Sequence, residues 1–331
     1  MKNSKFLLAS YFLANLTYAS CGSSFCTVNT NWDTQGLSHD AGTLVDFRYS
    51  YAKANEWRAG SSKKTLETPS GSDSEIENKR TINQLFNLNI DYAINHRWGV
   101  ILGLPLVMRD HTHTFDSSVS DPFTQQAKFT QFGDARVQGK YKFDLANPDS
   151  GAGFRFGLKL PTGTTNKTMS PPDPSDPTAP YKLERSSQPG TGSTDGILGG
   201  YYFRNTPGSG FGWFVSGQLQ TAIAVKDNYR PGSELSLDTG IHYEAVQGLN
   251  LLLQLNGTHH ARDTGSNANP ASGGYTVSIS PGISFAPMPQ TQIYGFAQLP
   301  IIRYVNTDPS DSASGQLSAK WVASIGVTQK F

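Results

Sequence analysis

The stretch Gln316-Leu-Ser-Ala-Lys-Trp-Val-Ala-Ser-Ile-Gly-Val-Thr-Gln-Lys-Phe331 decides the fold. In an extended chain, Trp321, Ala323, Ile325 and Val327 fall on one face, and Lys320, Ser324, Thr328 and Lys330 fall on the other. Successive side chains of a strand point to opposite sides, so this is a strand with one apolar and one polar face. An end at Phe331 suits a strand held by pairing with another, its ring at a membrane interface.

Runs of the same period recur toward the N-terminus. Residues 42–51 set Val45, Phe47 and Tyr49 against Asp46 and Arg48. Residues 84–94 set Phe86, Leu88, Ile90 and Tyr92 against Asn87, Asn89 and Asp91. Similar runs occupy 98–109, 129–143, 153–162, 193–204, 212–226, 234–245, 249–260, 274–286 and 292–304. With the terminal run they make about twelve, each long enough to cross a bilayer at a tilt. The connections take turns. Those at 95–97, 205–210, 246–248 and 287–290 are short, whereas 52–83, 110–128 and 163–192 are long and rich in Pro, Ser or Asp. Short turns on one rim and long loops on the other belong to an all-β, up-and-down, antiparallel transmembrane barrel of about twelve strands, with both chain ends in the periplasm. A propeller would need a repeated blade motif, and none is present. The proline-rich stretch 170–180 lacks ladder donors, which leaves an external loop or a flap over the mouth.

Composition agrees. The 331 residues carry a net charge of +1, so no global field draws the chain to nucleic acid. Only 16% of residues are charged, against about 25% in an ordinary globular chain. A negative mean hydropathy speaks against membrane-spanning helices and leaves barrel strands open, because polar lumen and apolar lipid faces average out.

Lys2 and Lys5 followed by an apolar stretch over 6–16 read as a signal peptide, with cleavage near Ala19 or Ser20. The expected organisation is a signal peptide at 1–20, a periplasmic N-terminal segment at 21–41 and an outer-membrane barrel at 42–331. Cys21 and Cys26 fit a small disulfide loop in an oxidising compartment; a redox pair, a soft-metal site and lipidation of Cys21 are the other readings. Two thiols are too few for a closed zinc site.

If the apolar faces meet lipid, the opposite faces line a lumen. Arg136, Lys140, Lys142, Arg155 and Lys159 then share one wall of neighbouring strands. Asp46, Asp91, Asp134, Asp238 and Glu244 supply the opposite sign. Such a lining either sets a transverse field that favours anions or zwitterions over plain cations, or is a structural network of paired ions. His111 and His113 share one face and are weak metal candidates. His259 has no Gly-x-Ser-x-Gly nucleophile elbow beside it, so no enzymatic activity is expected, and no cofactor.

Three segments carry a family resemblance: Phe132-Gly-Asp-Ala-Arg-Val-Gln-Gly-Lys-Tyr-Lys-Phe143, Phe156-Gly-Leu-Lys-Leu-Pro-Thr-Gly163 and Gly190-Thr-Gly-Ser-Thr-Asp-Gly196. Their order resembles that of the putative outer-membrane channels of the meta-pathway of phenol degradation. The resemblance covers roughly residues 85–331. It implies uptake of small organic solutes, aromatic ones among them. The expected path is passive diffusion through a lumen partly narrowed by the long external loops or by the segment 21–40. The expected partners are such solutes, outer-membrane lipid and the barrel assembly machinery of a Gram-negative cell. Related terminal strands carry an aromatic where this chain has Gln329. Residues 21–33 lie outside the resemblance, and the cysteine pair keeps open a structural barrel that docks a periplasmic redox or metal protein.

Overall fold

The alternating end segment is paired on both edges. In the computed structural model, which describes residues 28–37, 42–64, 75–115, 123–172, 178, 180–310, 312 and 315–331, twelve antiparallel strands close into a barrel. They are β1 (Gly42–Ala59), β2 (Glu75–Ala93), β3 (Trp98–Phe115), β4 in two pieces (Phe123–Phe132 and Arg136–Lys142), β5 (Ser150–Lys159), β6 (Thr194–Thr206), β7 (Phe211–Ala224), β8 (Glu234–Val246), β9 (Leu249–His260), β10 (Gly274–Met288), β11 (Thr291–Val305) and β12 (Gln316–Lys330). A two-residue strand, Ser62–Lys63, folds back on the outer end of β1. The signal-peptide stretch and both cysteines lie outside the described residues.

Each strand pairs with its sequence neighbours, and β12 pairs back to β1 from Leu44↔Lys330 to Arg58↔Gln316. The seam ends where Phe331 N donates to Thr43 O at 2.8 Å and Thr43 N donates to Phe331 O at 3.2 Å. Gly42, at φ 126°, is needed here, since a Cβ would sit 2.5 Å from Phe331 O. Closure leaves no free sheet edge, the condition for strands to cross a hydrocarbon layer.

The faces divide as the period dictates. Leu251, Leu253 and Leu255 of β9 are exposed outward, while Leu252, Gln254 and Asn256 are buried inward. On the inner rim Trp98 packs on Tyr141 with ring centroids 4.7 Å apart, and Tyr141 packs on Phe154 at 5.4 Å. Such aromatics suit the interfacial girdle. The short turns are built by side chains: Asn95 Oδ1 accepts from Arg97 N and Trp98 N, and Asn147 Oδ1 accepts from Asp149 N.

Three features depart from the expected pattern. β1, β2 and β3 run much further outward than their apolar alternation, because the outer turns pair as ladder with polar residues on both faces. The run 129–143 is not one strand. It breaks at 133–135, where the outer piece of β4 pairs only with β3 and the inner piece pairs with both β3 and β5. β5 stops at Lys159 rather than continuing to Thr162, since Pro161 has no ladder donor.

The connection between β5 and β6 turns inward. Gln126 and Ser170 exchange backbone hydrogen bonds of 2.8 and 2.9 Å, and Met169 and Leu183 bury against Ala127 and Phe129. Arg185 ties this loop to Asp227 at 3.1 Å, and Asn269 donates to Glu184 at 3.3 Å. The described parts of this loop on either side of 173–177 thus fold against the inner face of the outer wall.

A lumenal plug and its ion cluster

The central feature of the lumen comes from outside the wall. Residues 28–37, part of the N-terminal segment that the sequence offers as one way to narrow the lumen, lie inside the barrel. They include a 3-10 turn, Trp32–Gln35, that ends on Gly36 in the left-handed region at φ 71°. A Cβ on Gly36 would meet the Phe203 ring at 2.5 Å, so the chain turns there only because glycine fits.

One side of this plug is apolar. Trp32 is 2% exposed and packs with Val28, Leu252, Tyr294 and Phe296. Its ring meets Tyr294 edge-on at 4.8 Å and stacks on Phe296 at 6.4 Å. The indole Nε1 donates to Thr328 Oγ1 at 3.1 Å, so the polar end is satisfied as well. Tyr294 Oη donates to Asp46 Oδ1 at 2.7 Å, which fixes the ring that receives the tryptophan.

The other side is ionic. Asp33 Oδ2 accepts from Lys140 Nζ at 3.0 Å and lies 3.6 Å from Lys142 Nζ, while Oδ1 accepts from Arg155 Nη2 at 3.1 Å. Lys140 also binds Asp91 Oδ2 at 2.6 Å. Burial by itself would push the Asp33 carboxyl up; Arg155, Lys140 and Lys142 outweigh it and hold the group well below the usual carboxylate range. Hydrogen bonds from the wall to plug carbonyls and to one plug hydroxyl complete the hold. Arg48 Nη1 donates to Val28 O and Thr30 Oγ1, Gln254 Nε2 donates to Asn29 O, and Asn205 Nδ2 donates to Gly36 O.

The plug divides the lumen. Toward the outside lies a chamber of about 520 Å³, lined by residues such as Arg48, Arg136, Glu234 and Gln298. Toward the periplasm lies a vestibule of about 760 Å³, lined by Trp32, Leu37, His242 and Glu244 among others.

A second buried cluster sits at the break in β4. Lys159 Nζ lies 3.2 Å from Asp134 Oδ2, 3.0 Å from Asp195 Oδ2 and 3.1 Å from Ser193 Oγ, and it also meets Thr191 Oγ1. Asp134 in turn accepts from Gly163 N at 3.0 Å and Thr191 N at 2.8 Å. Thr162 Oγ1 donates to Gly133 O at 2.9 Å. Gly163 and Gly190 pass so closely that a Cβ on Gly163 would lie 2.7 Å from Gly190 Cα. All three motif segments of the sequence meet here, as a knot that replaces the missing ladder between β4 and the loop ahead of β6.

No family model matches the chain, and no curated protein matches it. An outer-membrane channel from Pseudomonas putida F1 is similar in structure, with a TM-score of 0.61 at 11% identity, over 92% of this chain and 100% of that one. The transport unit of the autotransporter AIDA-I from Escherichia coli and the CymD monoaromatic hydrocarbon channel give TM-scores of 0.48 and 0.47 at 9% and 12% identity. They cover 94% and 88% of this chain and 95% and 89% of their own. The closed wall, its outward apolar face and the first of these likenesses agree. The fold is that of an outer-membrane β-barrel. The likeness to the phenol meta-pathway channels rests on the three motifs.

Within this outer-membrane barrel the expected site residues separate. Lys140, Lys142 and Arg155 converge on Asp33, and Asp91 joins them through Lys140. Lys159 and Asp134 form the wall knot instead. Arg136 has no carboxylate within 4.0 Å among the described residues and reaches toward Gln220 Oε1 at 3.5 Å. Asp46 has no cation within 4.0 Å among the described residues and accepts from Tyr294 and Thr328. Glu244 is exposed at the inner rim, where Gly248 N donates to it at 2.9 Å. Asp238 accepts from Asn256 Nδ2 at 2.7 Å. His111 and His113 do share the inner face, with rings 5.1 Å apart and His111 Nδ1 2.9 Å from Thr81 Oγ1. No group of three or more metal-binding side chains occurs among the described residues. Trp32, Asp33 and Arg48 were missed because they sit in, or bind to, a stretch with no periodic pattern.

Proposed function

We propose that the protein is an outer-membrane channel for passive uptake of small organic solutes, aromatic ones among them, with residues 28–37 as the obstruction in its path. One observation carries this reading. The segment that separates chamber from vestibule is held by side-chain contacts and makes no ladder with the wall. It can therefore shift without breaking the strand pairing that keeps the barrel closed. The motif resemblance supports cargo of this class, and the similar Pseudomonas putida structure is itself a channel.

Liposome swelling tests it. Vesicles carrying the protein should admit benzoate and arabinose faster than protein-free vesicles, and a variant lacking residues 28–37 should admit both faster still. If neither protein speeds entry of either solute, the channel reading fails.

A further inference from the structure

The plug and the wall knot consume most of the lumenal charge, so what remains unpaired is informative. Among the charged side chains that line the outer chamber, Arg48, Arg136, Glu234 and Asp238 have no opposite charge within 4.0 Å among the described residues, while Arg109 is held by Asn83 Oδ1 and Ser187 O. Arg48 is bound only to Val28 O and Thr30 Oγ1, and Arg136 only to Gln220. Glu234 accepts from Ser236 Oγ at 3.4 Å, and Asp238 from Asn256. By contrast, Arg155 and Arg303 of the same chamber are neutralised by Asp33 and Glu56.

The four are sorted by side. Arg48 stands on β1 and Arg136 on β4, while both acids stand on β8, across the closed ring. Plug residues mark the gap at one level: Arg48 holds Val28 and Thr30, and Asn29 Nδ2 donates at 2.9 Å to Ser216 Oγ, the β7 residue paired with Asp238. Two cations and two anions thus line one chamber with no ion pair of 4.0 Å or less between them, and Arg136 reaches toward Gln220, the β7 residue paired with Glu234. An unneutralised charge in a partly desolvated chamber is costly unless something answers it.

A separate observation points the same way. Gln298 is 2% exposed, and both its amide nitrogen and its amide oxygen lack a partner; Ser278 is 1% exposed, and its hydroxyl also lacks one. Arg48 Nε and Arg136 Nε are likewise buried without an acceptor. Buried polar groups are as a rule hydrogen-bonded, and these orphans belong to side chains of one chamber.

We infer that the outer chamber is a binding site for a small zwitterion bearing one carboxylate and one ammonium group. The carboxylate is held by Arg136 and Arg48, the ammonium by Glu234 and Asp238, and Gln298 and Ser278 supply neutral hydrogen bonds. The chamber, about 520 Å³, has room for such a molecule. A plain anion leaves the β8 acids unanswered, a plain cation leaves the arginines so, and a neutral hydrocarbon satisfies none of them. The inference rests on the channel reading for the route by which a solute arrives.

Isothermal titration of the detergent-solubilised full-length protein tests the site with β-alanine, propionate, propylammonium and arabinose. β-Alanine should bind saturably, and the other three about tenfold more weakly or worse. Arg136→Gln and Glu234→Gln should each bring β-alanine down to the level of the single-charge analogues. Asp238→Asn serves in place of either variant that loses the heat-modifiable gel shift of a folded barrel. Propionate binding as well as β-alanine overturns the zwitterion site, and so does absence of β-alanine binding. Swelling assays separate this from the channel reading. Entry of arabinose with no β-alanine binding removes the site and leaves the channel; β-alanine binding with no entry of any solute does the reverse.

Discussion

Arg155 Nη2 on the wall donates to Asp33 Oδ1 on the plug at 3.1 Å, and both side chains are more than nine-tenths buried. This contact joins two parts of the chain that share no backbone pairing. Removing one partner of such a pair strands the other charge in a poorly hydrated site, at about 3–5 kcal/mol. Asp33→Asn should therefore loosen the plug while leaving the ladder intact. Single-channel recording in a planar bilayer should show a conductance several-fold above that of the parent protein.

Acid should act through the same carboxylate. The folded-state pKa of Asp33 is depressed, so its contribution to plug docking is fully present above the unfolded value near 4 and is lost as pH falls toward the folded one. Conductance should stay flat from about pH 8 to about pH 5 and rise only under strong acidification. In Asp33→Asn the rise should be absent or much smaller. A step near pH 6 in the parent protein would contradict the assignment to Asp33.

Trp32 supplies the apolar half of the hold. Trp32→Ala leaves a void among Leu252, Tyr294 and Phe296 and should cost about 3–5 kcal/mol of docking. Its effect on conductance should match that of Asp33→Asn. The midpoint of heat-modifiable mobility should move little, because that measurement follows the wall.

Lys159→Met should behave in the opposite way. It leaves Asp134 and Asp195 buried without their cation at the break in β4. A loss of about 3–5 kcal/mol falls on the wall, and the heat-modifiable midpoint should drop markedly. Replacing Asp134, Lys159 and Asp195 together by Asn, Met and Asn should recover part of it.

Leu253 and Gln254 test the two faces of one strand. Leu253 is 40% exposed outward, and Leu253→Arg should cost up to about 2–4 kcal/mol if it lies at mid-bilayer. Gln254 is buried inward and holds Asn29 O, so Gln254→Leu should spare the wall and weaken the plug. Urea unfolding in lipid vesicles, with conductance measured in parallel, separates the two.

The sequence made the wall readable wherever lipid lies on one side. Leu251, Leu253 and Leu255 alternate with inward residues because the bilayer demands it. Further out that demand lapses. Lys53 and Glu56 of β1 and Arg80 of β2 meet water or lumen on either face, so the outer turns carry no period and read as loop. The contacts that hold plug and knot are illegible in the sequence for another reason. Asp33 lies over a hundred residues from Lys140 and Arg155, and only closure of the ring brings them together. The three motifs around Asp134, Lys159 and Asp195 were visible singly, but that they share one lysine is a fact of three dimensions. The carboxylate that gathers Lys140, Lys142 and Arg155 stands on the segment ahead of the first strand, where no alternation marks it.

Only residues 38–41 separate the plug from β1. The plug is thus a ligand that its own receptor carries on a leash. Its local concentration is fixed by the tether, in the millimolar range or above for links this short, and does not fall when the protein is diluted. A competing solute must outbid a partner that never diffuses away, whereas a single proteolytic cut within 38–41 would turn the plug into a dissociable peptide.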